Sequence, residues 1–440
     1  MSEIFPFHGT RFDTAVVGHM KDIVAPPYDV IDSSCQAALH RRHPYNVIRL
    51  ELGLDRPDDG PTNNRYTRAA TTLHEWITNG VLKQDQQPAL YYHTIDYHPP
   101  SFASVPPTSK VLRGFLALVK LETFNSGQIY PHENTRAAAK TDRLNLLKAC
   151  RANVSPIWSL YSDPEGTVVG WLDMAAKRQS PLYDFEDDTG FHQRLWAITD
   201  PEILASVTHA MRRKSLFIAD GHHRYETALH YQSHRRNRGG PLELQPYDCV
   251  LMLLTPLEDS GLTVLPTHRV LTAPLPPYET IKTRLGDLFD YDEFPFTPAS
   301  QQTARSQFLN TLRSKGRSAP SFGMAVKGDS RYTVLTLKST HWPSDNVSPR
   351  AKLDVSLLQQ LIIAKLCPSP EEQEAILYTK DDHEALDWVA QGVGTGALLL
   401  NATKVEEIRA VALAGERMPH KSTYFFPKPL TGLVLHVMEQ

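Results

Sequence analysis

Apolar positions in residues 67–82 (TRAATTLHEWITNGVL) fall at Ala69, Leu73, Trp76, Ile77 and Leu82, close to the spacing that lines one face of a helix. The stretches 88–98 and 111–124 are instead rich in Tyr, Val, Leu and Phe, which favours strands. Residues 141–150 read as a helix and 157–162 as a strand. A helix over 201–213 is opened by Asp200-Pro201, the aspartate as cap and the proline at the first position. SLFIAD at 215–220 is a short apolar strand that runs through a turn into the helical stretch YETALHYQSHRR. Two more strands, 248–257 and 262–271, flank Asp259-Ser260-Gly261. Beyond them the pattern gives strands near 322–328, 332–339, 376–379 and 396–401, and helices at 354–367, 383–392 and 404–415. The tail MPHKSTYFFPKPLTGLVLHV has the apolar content of a strand. This mixture predicts an α+β or mixed α/β protein. The regions expected are an N-terminal one over 1–110, a core over 111–275 and a C-terminal one over 276–440.

Composition narrows the function classes. A chain of 440 residues, 41% of them apolar, can bury a large core. Its net charge of −3 gives no electrostatic reason to expect nucleic acid, because phosphate-backbone binding needs concentrated positive charge. Cys35, Cys150, Cys249 and Cys367 form no CxxC pair, which argues against structural zinc and against a disulfide framework. MSEIFPFHGTRFDT has no apolar signal core, and no apolar run approaches the length of about 18 residues needed to cross a bilayer. A cytoplasmic protein without a membrane partner is expected.

The densest chemistry is Asp220-Gly221-His222-His223-Arg224, between a buried strand and a helix. Gly221 allows a sharp turn and a close ligand approach, and the helix start offers N–H groups to a phosphate or carboxylate. Asp220 can hold a metal or accept a proton, the histidines can donate to an oxyanion, and Arg224 can clamp one. A second segment is Pro131-His132-Glu133-Asn134-Thr135, followed by Arg136, Lys140 and Arg143. A carboxylate there can act as base toward a hydroxyl while the cations hold an anionic group. Pro266-Thr267-His268-Arg269 lies at a strand end. Val24-Ala25-Pro26-Pro27-Tyr28-Asp29-Val30 reads as a rigid turn. The tail offers His420, Lys421, Ser422, Thr423, Tyr424 and Lys428, whose lysines can reach an anion. GxxxxGK[ST], GxGxxG after a strand, HExxH and GxSxG are all missing, so ordinary nucleotide-kinase, dinucleotide and zinc-protease readings lose support.

PHEN at 131–134 with IADGHHRYETAL at 218–229 resembles the free-serine kinases of the ParB/sulfiredoxin-like superfamily. APPYDVI, PYNVIRLELG, DRLNLL, PTHR and MPHKSTYFFPK resemble a large bacterial branch long catalogued as a domain of unknown function and associated with pyrophosphate-dependent phosphorylation of serine. The resemblance implies a ParB/sulfiredoxin-like core with N- and C-terminal α/β extensions. It implies that Glu133 takes the serine hydroxyl proton and that Asp220 and His223 act beside it, Asp220 with a magnesium ion or the phosphate. Gly221, His222, Arg224, Arg136, Lys140 and Arg143 would bind phosphate. Asn134, Thr135, Thr267, His268, Arg269 and Lys421 would hold substrate. The chain departs from small archaeal relatives in the 86 residues, 134–219, that separate Glu133 from Asp220, which bears on the donor pocket.

The reading is therefore a small-molecule kinase, with L-serine and pyrophosphate, or ADP or ATP, as substrates. Magnesium is expected, and no organic cofactor. Pyrophosphate is favoured because no Gly-rich phosphate loop accompanies the cations Arg136, Lys140, Arg143, Arg224, Arg269 and Lys421. Two other readings are a ParB-like module that grips a nucleotide or DNA phosphate without turnover, and a metal-dependent hydrolase using His222, His223 and Asp220. The charge balance and Glu133 oppose the first. Adjacent histidines point apart, which opposes the second.

Overall fold

The computed structural model describes residues 2–100, 108–133, 137–239, 241 and 243–438. The chain forms two compact units. One comprises Met1–His98, Ser109–Leu262 and Pro427–Gln440, and the other Pro99–Thr108 and Thr263–Phe426.

The first unit is built on a nine-stranded sheet. Its strands are β1 (Ile4–Phe5), β2 (Leu90–Tyr97), β3 (Lys110–Lys120), β4 (Ile129–Tyr130), β5 (Ile157–Tyr161), β6 (Tyr183–Glu186), β7 (His192–Ile198), β8 (Leu216–Asp220) and β9 (Cys249–Pro256). They lie in the order β4-β8-β5-β9-β3-β2-β7-β6, with β1 beside β3. All of β9 is buried, which is what its unbroken apolar run CVLMLLTP requires of a strand covered on both faces. Val168 and Leu172 of the helix Thr167–Ala176, and Val207 and Met211 of the helix Pro201–Met211, pack into the same core as Leu90, Phe115, Ile157 and Leu254. The helices Ala137–Cys150 and His222–Arg236 pack against each other.

The two units divide the chain differently from the three regions the sequence suggests. The boundary at 110 falls at the first residue of β3, which pairs antiparallel with β2 from Tyr97↔Lys110 to Tyr91↔Leu116. Those backbone hydrogen bonds join the N-terminal region and the core in one body. The last residues return to that body as well: Thr431 pairs with Ala25, Leu435 with Thr10, and His436–Val437 with Ala152–Asn153.

The second unit holds a six-stranded, wholly antiparallel sheet of β10 (His268–Leu271), β11 (Phe289–Pro295), β12 (Ser321–Val326), β13 (Arg331–Leu337), β14 (Ile376–Thr379) and β15 (Gly396–Leu400). The order is β11-β13-β12-β15-β10-β14. The strand expected over 262–271 is two strands. Pro266 interrupts it, because proline cannot donate to a ladder. Thr263–Leu265 pairs with Tyr424–Phe426, and His268–Leu271 joins the large sheet. The helix expected at 354–367 contains a π-helical turn, Gln359–Ile363. Among the described residues no helix is long and apolar enough to cross a membrane.

Leu254 sits in the middle of the large sheet, opposite Phe115 on one side and Ser159 on the other, with none of its surface exposed. Leu254→Ala should cost about 2–5 kcal/mol, the range for a leucine deleted from a core that cannot collapse around the gap. Urea unfolding of the first unit checks this, and a loss below about 1 kcal/mol would contradict the placement.

Candidate functional site

Two motifs far apart in sequence meet because β4 and β8 are parallel neighbours, with Leu216 opposite Ile129 and Phe217 opposite Tyr130. β4 is followed by Pro131-His132-Glu133 and β8 runs into Asp220-Gly221-His222-His223-Arg224, so both motifs leave the carboxyl ends of these two parallel strands together. The His132 backbone N–H donates to Nε2 of His222 at 3.2 Å, and the two rings meet edge to face at 4.7 Å. His132 is neutral. Burial pushes its imidazole down to about 4, against the opposing pull of a hydrogen bond to the Ile218 backbone and the charge of Asp220.

The strand-to-helix turn depends on Gly221, which has φ +96°. A β-carbon there would also lie 3.0 Å from the Arg224 guanidinium. The helix His222–Arg236 starts directly after it, with the Tyr225 N–H on the Gly221 carbonyl at 3.0 Å. N–H groups in the first turn of a helix have no partner within that helix, and the helix dipole favours an anion beside them.

Asp220 faces a cation on each oxygen. Arg224 Nη2 donates to Oδ2 at 2.5 Å, and Lys428 Nζ donates to Oδ1. Burial works to raise the Asp220 carboxyl. The Lys428 ammonium and then the Arg224 guanidinium outweigh it and hold the group below the usual carboxylate range. Arg224 is fixed further by the Pro156 carbonyl, and Lys428 by Asp29 Oδ2 at 3.1 Å. The Tyr28 ring lies between two guanidinium groups, 4.3 Å from that of Arg143 and 5.9 Å from that of Arg224. The segment that reads as a rigid turn, VAPPYDV, thus delivers Tyr28 and Asp29 to the site.

The other expected residues fall differently. Glu133 directly follows His132 and so enters at the same strand end. Lys140 is engaged with Glu226 at 3.0 Å. Arg143 was expected to bind phosphate, but its guanidinium is buried on the Glu51 backbone carbonyl (3.0 Å), the Glu51 carboxylate (3.1 Å) and Asp142. Removing that charge would leave the buried Glu51 carboxylate without its cation, so these contacts of Arg143 are structural. It lines a cavity of about 40 Å³ together with Glu51, Arg224 and Thr227. Asn134, Thr135 and Arg136 lie outside the described residues.

Thr267, His268, Arg269 and Lys421 belong to the second unit. His268 is buried, accepts from the Leu400 N–H at Nδ1, and is driven to about 3 by burial. Arg269 donates to the carbonyls of Thr267 at 2.5 Å and Lys421 at 3.2 Å. The tail lysine that reaches Asp220 is therefore Lys428 and not Lys421, whose backbone is left-handed at φ 56°. The sequence signal for it is a lysine held between Pro427 and Pro429.

Asp220 offers a magnesium ion no carboxylate oxygen that is clear of a cation. Both carboxylate oxygens already face cations, so an ion there would have to displace Lys428 or Arg224. Among the described residues no three His, Cys, Asp or Glu side chains gather as a metal site. The described residues around Asp220 do not form a site for a resident ion.

Residues 4–356 match the family described as Protein of unknown function (DUF1015), and the chain belongs to that family. No curated protein matches it. Three solved structures are similar. A conserved hypothetical protein from Pyrococcus furiosus is 12% identical at a TM-score of 0.32, over 73% of this chain and 93% of that one. A free serine kinase variant in complex with AMP is 11% identical at 0.35, over 77% and 97%. SbnI with a C-terminal truncation, from Staphylococcus aureus, is 13% identical at 0.35, over 73% and 87%.

The Asp220 cluster predicts a pH dependence of stability. The folded carboxyl titrates below its unfolded value of 3.8. Its contribution is therefore fully present above about pH 4 and is lost as pH falls through the lower folded value. Asp220→Asn should fold but be less stable near neutral pH by about 1–3 kcal/mol, since two cations lose their counter-charge. It should also lose less than the wild type on further acidification below pH about 4. Urea unfolding at a series of pH values tests this, and identical acid slopes for the two proteins would contradict it.

Proposed function

We propose that this protein is a phosphotransferase that moves a phosphoryl group from pyrophosphate to the hydroxyl of free L-serine, giving O-phosphoserine and phosphate. The observation that carries this reading is the meeting of the PHE and DGHHR motifs at neighbouring strand ends, with His132 hydrogen-bonded to His222. Phosphoryl transfer asks little covalent work of a protein. It needs in-line placement, charge neutralisation and a group that orients the nucleophile. Glu133 takes the serine hydroxyl proton as the bond from serine oxygen to phosphorus forms and the bridging P–O bond of pyrophosphate breaks. The N–H groups opening the helix at His222, with His223 and Arg224, neutralise the transferred group. Magnesium enters as the complex of the donor, which suits a site whose carboxylate is already balanced.

Pyrophosphate is preferred to ADP or ATP because the chain has compact cations beside a helix start and no Gly-rich phosphate loop. The deciding measurement is phosphoserine formation from L-serine with each donor at equal concentration and excess magnesium. Pyrophosphate should be the best donor. Turnover with ADP or ATP alone would move the donor assignment, and binding without turnover by any donor would overturn the kinase reading. His223→Ala should keep the fold and lower turnover by at least about 100-fold, the scale for losing one preorganised donor. Glu133→Gln should lower kcat more than it raises KM, because a base acts mainly in the transition state. Near-normal kcat in Glu133→Gln would remove Glu133 from that role.

A further inference from the structure

The chain reaches Tyr28 through Val24-Ala25-Pro26-Pro27, where two prolines restrict the backbone. The same segment is tied at several points. Ala25 exchanges both backbone hydrogen bonds with Thr431, the Val47 N–H donates to the Ile23 carbonyl at 2.7 Å, and Asn46 Nδ2 donates to the Val24 carbonyl at 3.2 Å. The Tyr28 ring therefore enters the site from a fixed backbone. The Arg143 guanidinium lies 4.3 Å from its centroid and that of Arg224 5.9 Å. Burial raises the Tyr28 hydroxyl above its ordinary value, against the pull of the Arg224 and Arg143 charges, so the ring is that of a neutral phenol.

The two guanidinium groups are held to different degrees. Arg143 is locked, with Nε donating to Asp142 at 2.7 Å and Nη1 to both the carbonyl and the carboxylate of Glu51. Arg224 has one carboxylate, Asp220, and one carbonyl, Pro156. Among the described residues its buried Nε has no hydrogen-bond partner. The N–H donors of a guanidinium lie in its plane, so two such bonds do little to oppose tilting out of that plane. An aromatic face does oppose it, because the ring quadrupole attracts a cation held over it within about 6 Å. The locked Arg143 steadies the ring, and the ring restrains Arg224.

We propose that Tyr28 is a positioning residue: its ring, steadied by Arg143, fixes the orientation of the Arg224 guanidinium and so aims that cation at the transferred phosphoryl group. The aim at a phosphoryl group rests on the phosphotransferase reading; the restraint of Arg224 does not. The face of the ring carries the role, and the hydroxyl does not.

Replacing the ring in steps tests this on the full chain. Tyr28→Phe keeps the face and should leave kcat and the serine KM at wild-type values. Tyr28→trifluorophenylalanine keeps nearly the same shape with a much weaker quadrupole. It should lower kcat about 10-fold at unchanged serine KM, the scale of one partly desolvated cation–π contact. Tyr28→Leu should behave alike and replaces the fluorinated variant if that one fails to fold, which thermal unfolding identifies. Rotation of the Arg224 guanidinium, followed by NMR of its Nε–H signal and assigned by the loss of that signal in Arg224→Lys, reads the restraint without turnover. Rotation should be slow in the wild type and Tyr28→Phe and faster in the other two variants. Unchanged rotation in a folded variant that lacks the ring face overturns the proposal, as does a kcat in Tyr28→Phe as low as in Tyr28→Leu. Faster rotation with wild-type kcat overturns the link from Tyr28 to the reaction. Faster rotation in a protein that phosphorylates no serine with any donor supports the restraint and overturns the kinase reading alone.

Discussion

The site is organised by one largely enclosed negative charge, that of Asp220. A carboxylate taken out of water costs several kcal/mol unless cations and hydrogen bonds compensate it, and Asp220 meets that demand from two directions. Arg224 comes from one turn further along its own helix, and Lys428 from 208 residues away. The strand end, the helix start and the C-terminal tail are therefore one electrostatic unit. The supports radiate outward: the Pro156 carbonyl fixes Arg224, Asp29 fixes Lys428, and Tyr28 lies between the guanidinium groups of Arg224 and Arg143. Arg143 in turn is locked by Glu51 and Asp142, and Ser155 satisfies the same Glu51 oxygen at 3.0 Å.

This arrangement separates the chemistry of the two histidine-bearing motifs from that of the charges. His132 and His222 are buried and joined by a hydrogen bond from the His132 backbone N–H to the His222 ring. They bring one motif against the other, and Asp220, Arg224 and Lys428 form the ion-paired cluster beside them. Glu133, carried on the residue after His132, inherits its position from that contact. The parallel pairing of β4 with β8 makes this possible, because strands that run the same way deliver their following turns to the same edge.

In the second unit, His268 and Arg269 show why a His-Arg pair is weak evidence for a site. His268 is neutral and satisfied by the Leu400 N–H, and Arg269 braces the backbone around Thr267 and Lys421. Both residues support local structure through main-chain contacts, a role that residue type alone does not distinguish from ligand binding.

The sequence determined most of the strands and helices of the first unit that carry chemistry, since β2, β3, β5, β8 and β9 are apolar runs bounded by turn residues, and periodicity reports burial directly. It also determined the cluster at Asp220–Arg224, because four polar residues around a glycine, between a buried strand and a helix, are hard to explain by packing. It did not reveal β6 and β7, whose half-exposed residues lack a continuous apolar signature, or the break at Pro266 that splits one apolar run between two sheets. Nor could it separate the cations. Arg143 and Lys140 look like phosphate ligands until Glu51, Asp142 and Glu226 are seen to engage them. Lys428 and Asp29 look like a tail residue and a turn residue until the fold brings both to Asp220. Local pattern fixes which segments are buried and where they turn. Which charge meets which depends largely on contacts between residues tens to hundreds of positions apart, and only the tertiary structure decides those.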